Sequence, residues 1–221
     1  DFCLSRGLGD VYKRQDIWSY PGYKERDILP GDYKYEDWNG DGEINGQDEH
    51  PFAFDQTPWL QFSLNAGLQW KNLDFNMLLQ GSALGSMEYK EPLHEIWGKN
   101  GGGALTQFLD RWHPVDPKAD PYDPSTVWTS GHYAYTGRWA KNNSAFNRVS
   151  TAYLRLKSIE LGYTFPKLKQ IPNASLRIYA NAYNLLTFTG VKFVDPEHPD
   201  DDLGRMYPLN KTYTLGVSLS F

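Results

Sequence analysis

The 221-residue chain contains no run of about 18 or more consecutive apolar residues, so no helical membrane span is expected of it. A membrane β-barrel stays open, because strands that alternate apolar and polar residues average out as polar. Cysteine is nearly absent. Cys3 stands alone, which excludes an internal disulfide and leaves the redox compartment unmarked. Basic surplus is missing as well: 22 Lys and Arg against 27 Asp and Glu give a net charge of -5, so no nucleic-acid partner is expected. Residues 1–15 lack the basic segment followed by an apolar segment that marks a secretory signal. The five histidines, His50, His94, His113, His132 and His198, show no metal-ligand spacing. No nucleophile–base pair and no phosphate-cradling glycine loop is evident, so neither an enzyme nor an organic cofactor is expected.

Aromatic residues, by contrast, are plentiful at 15%, with 15 Tyr and 8 Trp. That excess suits the interface girdles of a membrane barrel and sugar-binding surfaces equally well. The last ten residues, TYTLGVSLSF, point to the first of these. Tyr213, Leu215, Val217, Leu219 and Phe221 fall on one face, and Thr212, Thr214, Gly216, Ser218 and Ser220 on the other. This is a period-two strand of about the length a tilted strand needs to cross a bilayer.

The pattern recurs upstream. Leu60, Phe62, Leu64, Ala66, Leu68 and Trp70 alternate with polar or small residues. A tight turn at Lys71 and Asn72 leads into Leu73, Phe75, Met77, Leu79, Gly81 and Ala83 on one face of a second strand. Residues 151–166 give a third strand, with Ile159, Leu161, Tyr163 and Phe165 on the apolar side and Arg155 and Lys157 on that same side toward its start. Residues 176–189 give a fourth, with Leu176, Ile178, Ala180, Ala182, Leu186 and Phe188 on one face. Connections alternate short and long, the long ones being residues 86–147 and 190–211. Trp70, Tyr163, Phe165 and Phe221 fall at the short-turn ends, and Phe188 and Tyr213 at the long-loop ends. Two aromatic levels with an apolar band between them favour a membrane barrel over a soluble sandwich, which would bury that face against a second sheet.

Before the strands, residues 37–48 read DWNGDGEINGQD. Asp37, Asn39, Asp41 and Asp48 occupy positions one, three, five and twelve of a calcium-loop pattern, Gly42 the bend at six, and Glu43 the carbonyl position at seven; Asn45 stands at nine. Pro30, Pro51 and Pro58 argue against flanking helices, so a lone structural Ca2+ loop is expected rather than a sensor. The alternative is a turn rich in Asn-Gly and Asp-Gly. Residues 1–15, DFCLSRGLGDVYKRQ, have neither periodicity. Leu4 to Gln15 looks like a translated linker scar and is expected to be non-native, which would make the chain a fragment.

Five stretches together resemble the C-terminal part of a SusC/RagA-type TonB-linked outer-membrane protein. They are GDYKYEDWNGDGEINGQD, RWHPVDP, AYLRLKSIELGYTFP, IYANAYNLLTFTGVKFVDPE and YPLNKTYTLGVSLSF. The resemblance covers residues 31–221. It implies an all-β fold in which five or so antiparallel strands (residues 59–221) belong to a 22-stranded transmembrane barrel closed by strands absent here. It implies a TonB complex reached through absent N-terminal parts, a SusD-like surface lipoprotein as lid, and oligosaccharides or peptides as imported cargo. Phe221 resembles the terminal aromatic read by the barrel-assembly machinery. The short turns would then be periplasmic, and the long loops and residues 16–58 extracellular, with outer-membrane lipid around the apolar band.

Two further groups are open to functional readings. Asp195 and Glu197 could be a glycosidase-like carboxylate pair, but no pocket surrounds them in the sequence and a solvated acidic loop is the expectation. Trp97, Trp112, Trp128, Tyr133, Tyr135 and Trp139 could stack on sugar rings, pack the loop, or meet the lid protein. The alternative identity for the whole chain is a secreted, calcium-stabilised carbohydrate-binding β-domain.

Overall fold

In a computed structural model the described residues are 28–90, 93, 105–135, 144–166, 174–198 and 204–221. Residues 1–15, Trp97 and Trp139 lie outside them. Nine strands are described: β1 (Leu60–Trp70), β2 (Leu73–Ala83), β3 (Ser86–Glu88), β4 (His113–Pro114), β5 (Trp128–Thr129), β6 (Arg148–Ser150), β7 (Tyr153–Phe165), β8 (Ser175–Thr189) and β9 (Thr212–Ser220). No α-helix occurs among the described residues. The chain divides into two units. One comprises residues 1–53, 88–148 and 202–204, and the other residues 54–87, 149–201 and 205–221.

The second unit is built on a five-stranded antiparallel sheet in the order β1-β2-β7-β8-β9. Its register follows from the apolar alternation, since a one-residue slip would move every side chain to the wrong face. Leu64 stands opposite Leu79, Phe75 opposite Leu161, Leu161 opposite Ala180, and Ala180 opposite Leu215. These residues form one continuous apolar band, and it is exposed: Leu161 is 50%, Val217 66% and Leu215 77% accessible. Trp70, Tyr163, Phe165 and Phe221 lie at the short-turn edge of the band and Phe188 and Tyr213 at the other, all exposed. Tyr163 and Phe165 meet edge to face with ring centroids 4.8 Å apart.

One strand departs from simple alternation. Leu78 pairs with Ser158 and Leu79 with Leu156, so Lys157 is an extra residue in β7. The partner β8 adjusts at the same level, where Asn184 takes a positive φ of 53°. A bulge exchanges the faces that the alternation would otherwise assign. Leu154 and Leu156 therefore join Ile159 and Leu161 in the apolar band. Arg155, in register with Gln80 and Thr187, turns to the polar face. The expected placement of Arg155 and Lys157 on the apolar side is thus corrected. It would have put two unpaired cations among aliphatic side chains.

The first unit has a small core of its own. Leu29, Tyr33, Ile44, Phe108 and Ala134 are buried in it. The hairpin of β4 and β5 pairs His113 with Thr129 and Pro114 with Trp128.

Candidate functional site: the polar face of the sheet and the loops

The polar face carries two ionic clusters. Near the short turns, Arg177 Nη2 lies 2.5 Å from Asp74 Oδ2 and 2.6 Å from Glu160 Oε1. Arg177 Nε also donates to Asp74 Oδ1 at 3.1 Å, and its guanidinium stands 4.7 Å from the Tyr179 ring centre. One arginine thereby links β2, β7 and β8. It can do so because Gly162 lies between Asp74 and Tyr179 in the register. A Cβ at Gly162 would stand 2.5 Å from Arg177 Nη2 and 2.6 Å from both Asp74 oxygens.

At the long-loop end, Arg155 Nη2 donates to Asp195 Oδ1 at 2.7 Å, and its Nη1 lies 3.0 Å from Glu197 Oε1. Lys157 Nζ bonds both Glu197 oxygens at 2.8 and 3.0 Å. The Arg155 side chain is 2% exposed, Asp195 10% and Glu197 17%. The expectation of a solvated acidic loop is corrected here: both carboxylates are enclosed and paired. Both carboxylates are taken up in ion pairs with Arg155 and Lys157, an arrangement that does not favour the glycosidase-like reading. The ion pairs span some 40 residues of sequence, and the only sequence signal for them is Arg155 and Lys157 two residues apart in a strand.

The sequence-predicted calcium loop is folded on itself. Asp37 Oδ1 accepts the amides of Gly40 (2.7 Å) and Asp41 (3.2 Å), and Oδ2 that of Gly42 (2.8 Å). Asp41 Oδ1 accepts from Glu43 N, and Asp48 accepts from Trp38 N at one oxygen and Asn45 N at the other. Asn39 Nδ2 donates to Asp41 Oδ2. Gly42 sits at the bend with φ +85°, a conformation glycine adopts without a Cβ penalty. The loop closes through a 3-10 turn at Gly46–Asp48, capped by Asn45 with Asp48 reaching back. Among the described residues, no three His, Cys, Asp or Glu side chains converge on a metal position. The oxygen donors suit calcium in kind. An ionised carboxylate offers about four lone-pair sites, so amide contacts leave room for a cation.

The described loop aromatics pack together. Tyr133 meets buried Phe108 edge-on at 4.8 Å and Phe146 at 6.2 Å. Trp128 meets Tyr135 at 5.2 Å, and the Trp112 indole covers Gly31. Trp38 stacks on His50 at 3.8 Å with its indole largely exposed, an aromatic platform that the sequence reading missed.

No family model matches the chain. TonB-dependent receptor P3 of Formosa agariphila is 28% identical over 211 residues, which are 88% of this chain and 19% of that protein. TonB-dependent receptor P26 of the same organism is 27% identical over 226 residues, 96% of this chain and 22% of that protein. Over most of its length the chain is similar to TonB-dependent receptors. It spans about a fifth of the length of the curated receptors it matches. The RagAB peptide transporter carries the same fold, with a TM-score of 0.62 and 23% identity over 81% of this chain and 19% of that one. The RagAB peptide importer in the "closed-closed" state gives 0.60 and 21% identity over 90% of this chain and 21% of that one. The chain's five-stranded sheet shares the fold of these barrel proteins, as the resemblance implied.

Proposed function

We propose that this receptor segment forms part of the wall of an outer-membrane importer of oligosaccharides or peptides, working with a SusD-like surface lipoprotein and energised through a TonB complex. The observation that carries this reading is the two-faced sheet: an exposed apolar band edged by aromatics on one side, ionic clusters on the other. Lipid suits the first face and an aqueous lumen the second. The names of the RagAB structures support peptides as one cargo class. In this reading the protein is not an enzyme, the short turns are periplasmic, the long loops are extracellular, and Phe221 is the assembly signal. We also propose one structural calcium ion at residues 37–48, supported by oxygen ligands at the expected spacing and by Gly42 at the bend. The described loop aromatics serve packing first.

The decisive experiment is uptake of a labelled peptide mixture and a labelled oligosaccharide mixture by cells carrying the full-length gene, with and without TonB. TonB-dependent accumulation of either is expected. Failure of both, together with recovery of the present chain as a monodisperse monomer melting cooperatively in plain buffer, would favour the secreted carbohydrate-binding alternative. With two unpaired edges and an open apolar face, this chain should instead need detergent.

A further inference from the structure

The segment that follows β8 lies back against the sheet, and it does so on the polar face. Thr189 starts the fold: its hydroxyl donates to Ala152 O at 2.9 Å and accepts from Val191 N at 3.1 Å. Asp195 then organises a tight turn, its Oδ1 accepting from Glu197 N and its carbonyl from His198 N, both at 3.0 Å. Val191 and Pro196 are buried. Arg155 belongs to an open sheet and is still almost fully enclosed, with the Tyr153 ring 5.6 Å from its guanidinium. A guanidinium in that position, stripped of water, requires its two carboxylates.

We propose that residues 191–198 form a fixed ledge on the lumen wall, clamped by Arg155 and Lys157, that narrows the mouth of the barrel and limits the size of cargo entering it. The proposal rests on the importer reading above. Within the clamp, two cations and two carboxylates cancel. The bulge at Lys157 makes this possible, because it turns Arg155 away from the lipid face and toward the loop.

Size-graded labelling tests the ledge in the full-length receptor on intact cells, in a cysteine-free background. Single cysteines are placed at His198 or Lys192, with Lys118→Cys on an exposed turn of the other long loop as reference. A small impermeant maleimide should reach all three. A maleimide on a long polyethylene glycol should reach Lys118→Cys alone. Arg155→Met should raise the bulky reagent's rate at both ledge positions by at least about tenfold, as loss of one partner of a buried pair implies. Lys157→Met is the second variant if Arg155→Met fails to assemble. Equal bulky labelling at His198→Cys, Lys192→Cys and Lys118→Cys with the clamp intact would overturn the ledge, as would unchanged rates in an assembled clamp variant. The lipid-facing assignment is tested separately by arginine at Leu161 against Ser218. If that contrast is seen and the labelling result is not, the ledge falls and the barrel stands. If arginine is tolerated alike at both, the importer reading falls first.

Discussion

Arg177 reaches Asp74 over the backbone of Gly162, across the full width of β7. The contact joins two strands that are not neighbours in the sheet, and the missing side chain between them makes room for it. Gly162→Ala should therefore push the Arg177 and Asp74 tips apart and weaken the assembled protein by about 1 kcal/mol, the upper end for a partly exposed ion pair. Gly190→Ala, where a Cβ would meet nothing within 4 Å, should stay within about 0.5 kcal/mol. Urea unfolding of the detergent-solubilised full-length receptor measures both. Equal midpoints for the two variants would show that the ionic link contributes nothing.

Arginine should be costly on one face of the sheet and tolerated on the other. Leu161 lies mid-band between Phe75 and Ala180, whereas Ser218 faces Arg177 on the polar side. Leu161→Arg is expected to cost roughly 2–4 kcal/mol of barrel stability and Ser218→Arg much less. Heat-dependent mobility on gels reports the folded fraction. Similar losses at the two positions would contradict the lipid-facing assignment.

Adding calcium should protect residues 37–48 from proteolysis near Gly40. Asp37, Asp41 and Asp48 place three carboxylates within one short loop, and backbone amides answer them only in part. An extracellular site needs to bind no tighter than about 10⁻⁴–10⁻³ M. Titration calorimetry on the full-length receptor should give one site, lost in Asp41→Ala. Absence of heat, or an unchanged isotherm in Asp41→Ala, would show that the amides alone hold the loop.

Asp32 gives the first unit a pH dependence. Burial pushes its carboxyl up to about 6 from the ordinary 3.8, against the amide of Leu29, which donates to Oδ2 at 2.9 Å. The folded unit thus holds the proton more tightly than the unfolded chain does. Stability is greatest below about pH 4, falls as pH rises to about 6, and is flat above, by an amount on the order of 2–3 kcal/mol. Asp32→Asn keeps an acceptor for Leu29 N and should remove the dependence while stabilising the unit at pH 7. Protease susceptibility of residues 28–53 at pH 5 and pH 7.5 would show it. A wild type equally resistant at both would count against a buried, charged Asp32.

Much of the sheet was legible because its strands obey period two. Leu60 to Trp70, Leu73 to Ala83 and Thr212 to Ser220 take the faces that alternation assigns, since each has one apolar and one polar side and a turn or loop at either end. β7 was legible only in its second half. No glycine or proline announces the bulge at Lys157, so the alternation misplaced Arg155. The partners of Arg155 lie about 40 residues away, and no local pattern connects a strand to a loop at that distance. Asp74 and Arg177 are 103 residues apart and meet only because β7 is threaded between their strands. Of the loop aromatics, the sequence supplied the residue types but could not say that Tyr133 would be used up against Phe108 and Phe146.

The bulge at Lys157 also bears on how this wall can change length over time. In a strand with two unlike surfaces, adding or losing one residue normally turns the rest of the strand inside out. Lys157 is a residue the ladder with β2 already does without. A shorter relative lacking it would keep Leu154 and Leu156 on one surface, Arg155 on the other, and Ile159 to Phe165 undisturbed. Gaps between related chains should therefore gather at this seam, and an alignment that places one elsewhere in β7 would match apolar-face residues to polar-face ones.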